Sequence, residues 1–178
     1  MKPTTSMLSR RGLLFAGTAS LVIAACSGGS SNAVAESEAN GEGGDPYASS
    51  EWRKVTEAEW KDRLDPKAFA VLRQESTERP FTSPLEHEKR EGTYHCAGCD
   101  LPLFSSETKF DSGTGWPSFW KPLPGAMGTK DDHTLFYTRT EYHCARCLGH
   151  QGHVFNDGPA PTGQRWCNNG VALTFRPA

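Results

Sequence analysis

Cys96-Ala97-Gly98-Cys99 and, after 44 intervening residues, Cys144-Ala145-Arg146-Cys147 form two C-x-x-C pairs, each directly following a segment that reads as a β-strand. Two thiolates three positions apart in a tight turn can ligate one ion at about 2.3 Å, and two such turns brought together complete a tetrahedral four-cysteine zinc site. Four thiolates leave no open position for water, so the ion is structural, one per chain, with Cys96, Cys99, Cys144 and Cys147 as its ligands. Such a clamp ties together distant segments of a domain too small to rely on its core alone. Two redox pairs or two disulfides are the competing readings. A thioredoxin-like pair belongs between a strand and a helix in a βαβ setting, which the surrounding sequence does not offer. Bridges within C-x-x-C close loops too short to add much stability.

Outward from the cysteine pairs the pattern is that of short strands. Gly92 to Cys96, Leu101 to Phe104, Leu135 to Tyr142, Val154-Phe155 and Val171 to Arg176 are the expected strands, the last with Val171, Leu173 and Phe175 on one face. Gly/Pro-rich turns such as Asp111-Ser112-Gly113-Thr114-Gly115 and Pro122-Leu123-Pro124-Gly125 lie between them. Two short helices open the domain. Thr56 with Glu59 is a capping-box pattern, and Asp65-Pro66 places a cap before a proline at the first helical position. Trp60, Leu64, Phe69 and Leu72 then face a common core. The expectation is a small antiparallel β domain, residues 51–178, with helices at its N-terminal edge.

The first 50 residues read as address rather than fold. Lys2, Arg10 and Arg11 precede a stretch of small and apolar residues from Gly12 to Ala25, 14 residues long. A spanning helix needs about 20, so residues 1–25 suit a signal peptide. Ser9-Arg10-Arg11-Gly12-Leu13-Leu14 resembles a twin-arginine export signal, a route for folded proteins that lets the thiolates meet zinc in a reducing cytosol. Ile23-Ala24-Ala25-Cys26 resembles a lipobox, with Cys26 as the lipidation site; an ordinary secretory signal with an incidental cysteine is the alternative. Residues 26–50, rich in Gly, Ser, Ala, Asn and acid, read as a flexible tether. Together they predict a cell-envelope protein, periplasmic or extracytoplasmic, anchored to a membrane through lipid. The chain of 178 residues carries 19 basic and 21 acidic groups, a net charge of −2, which lacks the strongly basic signature of a nucleic-acid binder.

With Cys26 and the four ligands assigned, Cys167 is the one of six cysteines left over. A free cysteine is often only a small buried hydrophobe. Arg165, two residues away, can stabilise a thiolate, and Asn168 and Asn169 bring amides beside it. His150 and His153, in Gly149-His150-Gln151-Gly152-His153-Val154-Phe155, offer proton donors, or a pair of metal ligands were zinc not already satisfied. Trp116, pinned between Gly115 and Pro117, is either core or the wall of a small apolar pocket.

The chain from about Trp52 to Phe175 resembles the B-type methionine sulfoxide reductases, which act on the R epimer of the sulfoxide. The resemblance rests on Glu78-Arg79-Pro80-Phe81, both C-x-x-C pairs, Lys109-Phe110-Asp111-Ser112-Gly113, Gly115-Trp116-Pro117-Ser118-Phe119, Gly152-His153-Val154-Phe155-Asn156-Asp157-Gly158-Pro159 and Arg165-Trp166-Cys167-Asn168-Asn169. It implies a mainly β fold of two antiparallel sheets clamped by the four-cysteine zinc site. It implies Cys167 as nucleophile and Trp116 as the wall of the methyl pocket, with Phe155 and Arg165 also on the substrate side. His153 and Asn169 would orient the substrate and hold its sulfoxide oxygen, with His150 in support. The implied substrates are proteins or peptides bearing methionine-R-sulfoxide, and the implied partner is an external thiol reductant, a thioredoxin-like protein or a small thiol. The rivals are a zinc-stabilised binding module of related fold, with Cys167 merely packed, and a zinc-ribbon nucleic-acid binder. Three positions depart from the family pattern: Thr114 stands where many relatives carry a resolving cysteine, Trp166 where Tyr is usual, and Gln151 where Leu is usual.

Overall fold

The computed structural model describes residues 44–178. The expected leader at 1–25, Cys26 and most of the expected tether lie outside the described residues. Asp45 pairs with Arg53 at 2.5 Å and Tyr47 packs on the core, so contacts with the domain reach back to residue 45. No helix among the described residues is long and apolar enough to cross a membrane.

Both helices start at the caps read from sequence. In α1 (Glu57–Arg63) the Thr56 hydroxyl accepts from the Glu59 N–H and the Glu59 carboxylate accepts from the Thr56 N–H. In α2 (Pro66–Gln74) the Asp65 carboxylate accepts from the N–H groups of Lys67 and Ala68, and Pro66 stands where a missing N–H costs nothing. The pair buries Trp60, Phe69 and Leu72, with Leu64 half-buried at the edge.

Nine strands follow: β1 (Gly92–Cys96), β2 (Pro102–Ser105), β3 (Lys109–Phe110), β4 (Ser118–Phe119), β5 (Met127–Asp132), β6 (Arg139–Cys144), β7 (His150–Phe155), β8 (Arg165–Asn168) and β9 (Leu173–Pro177). They form two antiparallel sheets, a three-stranded one in the order β2-β1-β9 and a six-stranded one in the order β3-β4-β8-β7-β6-β5. The core between them is aromatic. Phe104 stacks on Phe119 with ring centroids 4.1 Å apart, Tyr94 meets Phe119 edge-on at 4.9 Å, and Tyr142 meets Trp166 at 4.9 Å. Each such pair adds about 0.5–1.5 kcal/mol beyond its buried area. Trp166 thus serves the core rather than the pocket, and its Nε1 donates to Gln164 Oε1 at 3.1 Å.

Several strand bounds differ from the expected ones. The segment from Leu135 is not strand until Arg139: the Asp132 carboxylate accepts from the N–H and hydroxyl of Thr134 and turns the chain, leaving Leu135, Phe136 and Tyr137 exposed on the β5–β6 hairpin. Val171 lies in the 3-10 turn Gly170–Ala172 rather than in the last strand, because the Glu78 carboxylate accepts from the N–H groups of Gly170 and Val171. The strand expected at Val154-Phe155 begins earlier, at His150. Strand β5, not expected, is an edge strand whose Lys130 and Asp131 are exposed, a composition that blunts pairing with other chains.

Candidate metal centre and active site

The two C-x-x-C turns are built alike. Each begins at the end of a strand, β1 or β6, and closes with a backbone hydrogen bond four residues back, Asp100 N–H to Cys96 O at 2.8 Å and Leu148 N–H to Cys144 O at 2.9 Å. Asp100 and Leu148 both take the left-handed conformation that reverses the chain, at φ 63° and 61°. The result gathers the four sulfurs within 4.8 Å of one another, all buried. Cys96 and Cys147 Sγ are 3.7 Å apart and Cys99 and Cys144 Sγ 3.5 Å. A tetrahedron with metal–sulfur bonds of about 2.3 Å has edges near 3.8 Å, close to these two separations, so the donor set suits a divalent ion. The surroundings fit as well. Gln151 Nε2 and Arg146 Nε each donate to a sulfur at 3.4 Å, on Cys96 and Cys99 respectively. The guanidiniums of Arg53 and Arg73 bind the carbonyls of Ala145 and Cys147 at 2.6 and 2.9 Å, placing positive charge against a site that four thiolates make anionic. Hydrogen bonds from the Cys144, Cys147 and Cys96 thiols, and from Arg146, drive Cys99 toward its thiolate form.

A second constellation lies on the six-stranded sheet. Cross-strand partners share a face, and the register places Ser118 of β4 opposite Cys167 of β8, Cys167 opposite His153 of β7, His153 opposite Glu141 of β6, and Glu141 opposite Lys130 of β5. Hydroxyl, thiol, imidazole, carboxylate and ammonium therefore run in one row across the sheet. Cys167 is half-buried, and burial pushes its thiol above the ordinary value, against the pull of Arg165, Thr114 and Ser118. Arg165 is held in place by both Asp157 oxygens, at 2.9 and 3.0 Å, and its guanidinium lies 4.3 Å over the Phe155 ring. Ser112 ties the hydroxyls of Thr114 and Ser118 together at 2.8 Å each.

His153 Nε2 donates to Asp132 Oδ2 at 2.8 Å, an acceptor-only carboxylate that leaves Nδ1 as the ring's second nitrogen. Arg139 holds the same Asp132 oxygen at 2.5 Å. Burial pulls His153 below its ordinary value more than Asp132 raises it, which favours the neutral ring. His150 sits behind: its Nδ1 donates to Glu141 Oε1 at 2.9 Å, its ring meets His153 at 5.5 Å, and it does not line the pocket.

The pocket over Cys167 has a volume of about 120 Å³, roughly four waters, and its walls include Trp116, His153, Phe155, Cys167 and Asn169, with Arg139 and Thr77 at its rim. That is room for a methyl sulfoxide and little more. Trp116 is locked by its indole N–H donating to Glu78 O at 3.1 Å. Asn169 is clasped at both ends of its amide: Oδ1 accepts from Glu78 N–H at 3.0 Å and Nδ2 donates to Gln151 O at 2.9 Å, leaving one amide hydrogen uncommitted. Gln151 is fully buried and faces the metal cluster rather than the pocket. Its Oε1 accepts from Asn168 Nδ2 at 3.2 Å, and Asn168 Oδ1 accepts from Tyr142 OH at 2.8 Å.

Of the residues singled out from sequence, Cys167, His153, Asn169, Trp116 and Phe155 converge on the pocket, Arg165 reaches the thiol from beside it, and His150 supports from behind. Asp132, Arg139 and Glu141 were missed, since no quoted motif contains them; Ser118 lies in a quoted motif but was given no role, and only strand register brings it opposite Cys167. Glu78 and Asp157 lie in quoted motifs, yet their clasping of Trp116, Asn169 and Arg165 has no sequence signal.

Residues 64–177 match the family model described as the SelR domain. The chain is 50% identical over 123 residues to the "Peptide methionine sulfoxide reductase MsrB" of Agrobacterium fabrum, covering 68% of this chain and 91% of that one. It is 56% identical over 120 residues to the protein of the same name from Pseudomonas putida strain W619, covering 67% and 90%. Against the Methanosarcina barkeri protein of that name the identity is 52% over 122 residues, covering 68% and 86%.

Proposed function

From the premise that this chain belongs to the MsrB family of peptide methionine sulfoxide reductases, we propose that it reduces methionine-R-sulfoxide in peptides and proteins at the expense of a thiol. The observation that carries this reading is a half-buried Cys167 beside His153 at the floor of a pocket walled by Trp116. A sulfoxide sulfur is electrophilic, but its oxygen departs only as it gains a proton, so a soft nucleophile and an acid must act together.

The methyl group rests on Trp116 and the sulfoxide oxygen faces His153 and the spare Asn169 hydrogen. Cys167 Sγ attacks the sulfoxide sulfur, the Cys167 proton passes by way of the imidazole to the sulfoxide oxygen, and the S–O bond transfers its oxygen. Methionine sulfoxide plus thiol thus becomes methionine plus Cys167 sulfenic acid, with atoms and electrons balanced. Neutral His153, its Nε2–H fixed on Asp132, is suited to relaying that proton. Thr114 is not a thiol, and the four remaining cysteines of residues 44–178 are clustered, so no internal thiol is placed to resolve the sulfenate. An external thiol condenses with it, releasing water, and a second thiol displaces the first as a disulfide. Cys96, Cys99, Cys144 and Cys147 would hold zinc, which with four thiolate ligands would be structural rather than catalytic.

We place the protein in the cell envelope, lipid-anchored through Cys26, on the strength of Ser9-Arg10-Arg11-Gly12-Leu13-Leu14 and Ile23-Ala24-Ala25-Cys26. A missing acyl mass at Cys26 in protein from the native envelope would remove that placement. For the chemistry, wild type and Cys167→Ser are assayed with dithiothreitol on resolved R and S sulfoxides. Wild type is expected to consume the R epimer only and the variant neither. After one turnover without reductant, intact mass should show one added oxygen. Loss of two hydrogens with metal released would instead make a cluster cysteine the resolving thiol, and activity surviving in Cys167→Ser would end the reductase reading.

A further inference from the structure

Five large apolar side chains are exposed among the described residues: Phe81 at 67%, Leu135 at 45%, Phe136 at 110%, Tyr137 at 62% and Leu148 at 46%. Four of them lie on segments joined to the walls of the pocket over Cys167, though none lines it. Leu135, Phe136 and Tyr137 form the tip of the β5–β6 hairpin, whose last paired residues are Asp132 and Arg139. Those same two residues serve the site, Asp132 by holding His153 and Arg139 by lining the pocket rim. Phe81 approaches from the Trp116 wall. Its N–H donates to Gly115 O at 2.7 Å, and a Cβ at Gly115 would stand 2.8 Å from its ring, so the ring lies against the residue preceding Trp116. Phe81 also holds φ at 61°, a left-handed conformation a bulky side chain rarely adopts without constraint.

Resting on the reductase reading, we propose that Phe81 and the Leu135-Phe136-Tyr137 tip are the banks of a substrate channel that grips apolar side chains flanking the methionine sulfoxide in an extended, unfolded polypeptide. Reach supports the assignment. Extended chain advances about 3.3 Å per residue, so Tyr137 and Leu135, two and four residues before Arg139, lie at most about 7 and 13 Å along the chain from that lining residue. Residues two to four positions from a sulfoxide seated over Cys167 cover the same span. Folded proteins keep such apolar neighbours buried; unfolding exposes them together with the methionine. The tip, residues 133–138, carries no Lys or Arg, and at its base Arg139 and Lys130 are offset by Asp131, Asp132 and Glu141, so it has no basic patch for an anionic lipid surface.

The test compares wild type, the triple variant Leu135→Ser/Phe136→Ser/Tyr137→Ser, and Phe81→Asn, an exchange that tolerates the left-handed backbone. Each is assayed with dithiothreitol on N-acetylmethionine-R-sulfoxide amide, on a peptide with Leu and Phe two to four positions either side of the sulfoxide, and on its Ser/Gly counterpart. Wild type is expected to favour the apolar peptide through KM by about tenfold, each variant to lose most of that preference, and all three proteins to handle the N-acetyl amide alike. Equal losses on all three substrates, or a preference that survives in both variants, overturn the proposal. So does a triple variant that keeps the peptide preference but loses binding to phosphatidylglycerol vesicles, or loses a concentration-dependent dimer, since the tip then meets lipid or a second copy. Wild type that reduces none of the substrates sinks the reductase reading itself, whereas reduction without preference sinks only the channel.

Discussion

Gly152 is the position at which one methyl group should disable the site. It pairs with Asn168 in the β7–β8 ladder, and a Cβ there would stand 1.9 Å from the carbonyl oxygen of Cys167 and 3.3 Å from Asn168 Cα. Carbon and carbonyl oxygen approach no closer than about 3.3 Å without repulsion, so Gly152→Ala must separate the strands by more than about 1 Å. Strand β8 has nowhere to go. Its other edge is paired with β4 at Ser118, and Asn168 N–H donates to Pro117 O at 2.9 Å. Overpacking of this kind costs about 1–3 kcal/mol, a fall in Tm of roughly 5–10 °C for a domain this size. A displacement of about 1 Å at the nucleophile costs about 100-fold in rate. The assay is dithiothreitol-driven sulfoxide reduction alongside thermal unfolding, with Gly125→Ala as the control. Gly125 has φ of 67° and open space around its Cβ position, so its substitution carries only about 1–2 kcal/mol of backbone strain. The variant at 152 should lose activity out of proportion to any control of equal Tm. Should Gly152→Ala keep kcat/KM within about twofold of wild type, the account of how the sheet places Cys167 is wrong.

Two further expectations concern the cysteines. Stripping the metal with a mercurial and a chelator should release one zinc per chain and abolish the cooperative thermal transition, because the cluster joins the ends of β1 and β6 across 44 residues; an unchanged transition would make the clamp dispensable. Burial raises the Cys167 thiol, so its thiolate is scarce at neutral pH and grows as pH rises. Alkylation of Cys167 by iodoacetamide should therefore accelerate by about tenfold per pH unit between pH 6 and 8, and a plateau in that window would contradict the raised value.

What could be read from sequence divides along physical lines. The helix starts at Thr56 and Asp65 were legible because caps are made by residues two or three apart, and so was the metal cluster, since each knuckle is a local turn. Leu135 to Arg139 misled because β-branched and aromatic preference says nothing about a carboxylate upstream: Asp132 turns the chain before those residues can pair. The row from Ser118 through Cys167 and His153 to Glu141 was invisible for another reason. Its members lie on four strands, and only the register fixes which side chains stand opposite one another. Gln151 was noted only as a departure in the histidine motif; its burial and its bond to Cys96 put it beside the metal centre.

An enzyme that repairs oxidation works among oxidants, and the setting of Cys167 bears on its survival there. Peroxide attacks thiolates, not thiols, and does so at any thiolate it can reach. The four sulfurs of the knuckles are buried, and Cys167 is half-covered with its proton held on by desolvation. Each unit by which a thiol's pKa stands above ambient pH thins its reactive form by another factor of about ten. With Cys167 as the proposed nucleophile, peroxide would meet a sluggish target, while a bound sulfoxide would meet a thiol in contact with it and a histidine able to move the proton. On the proposed mechanism, selectivity for sulfoxide over peroxide would come from a nucleophile that is weak until occupied.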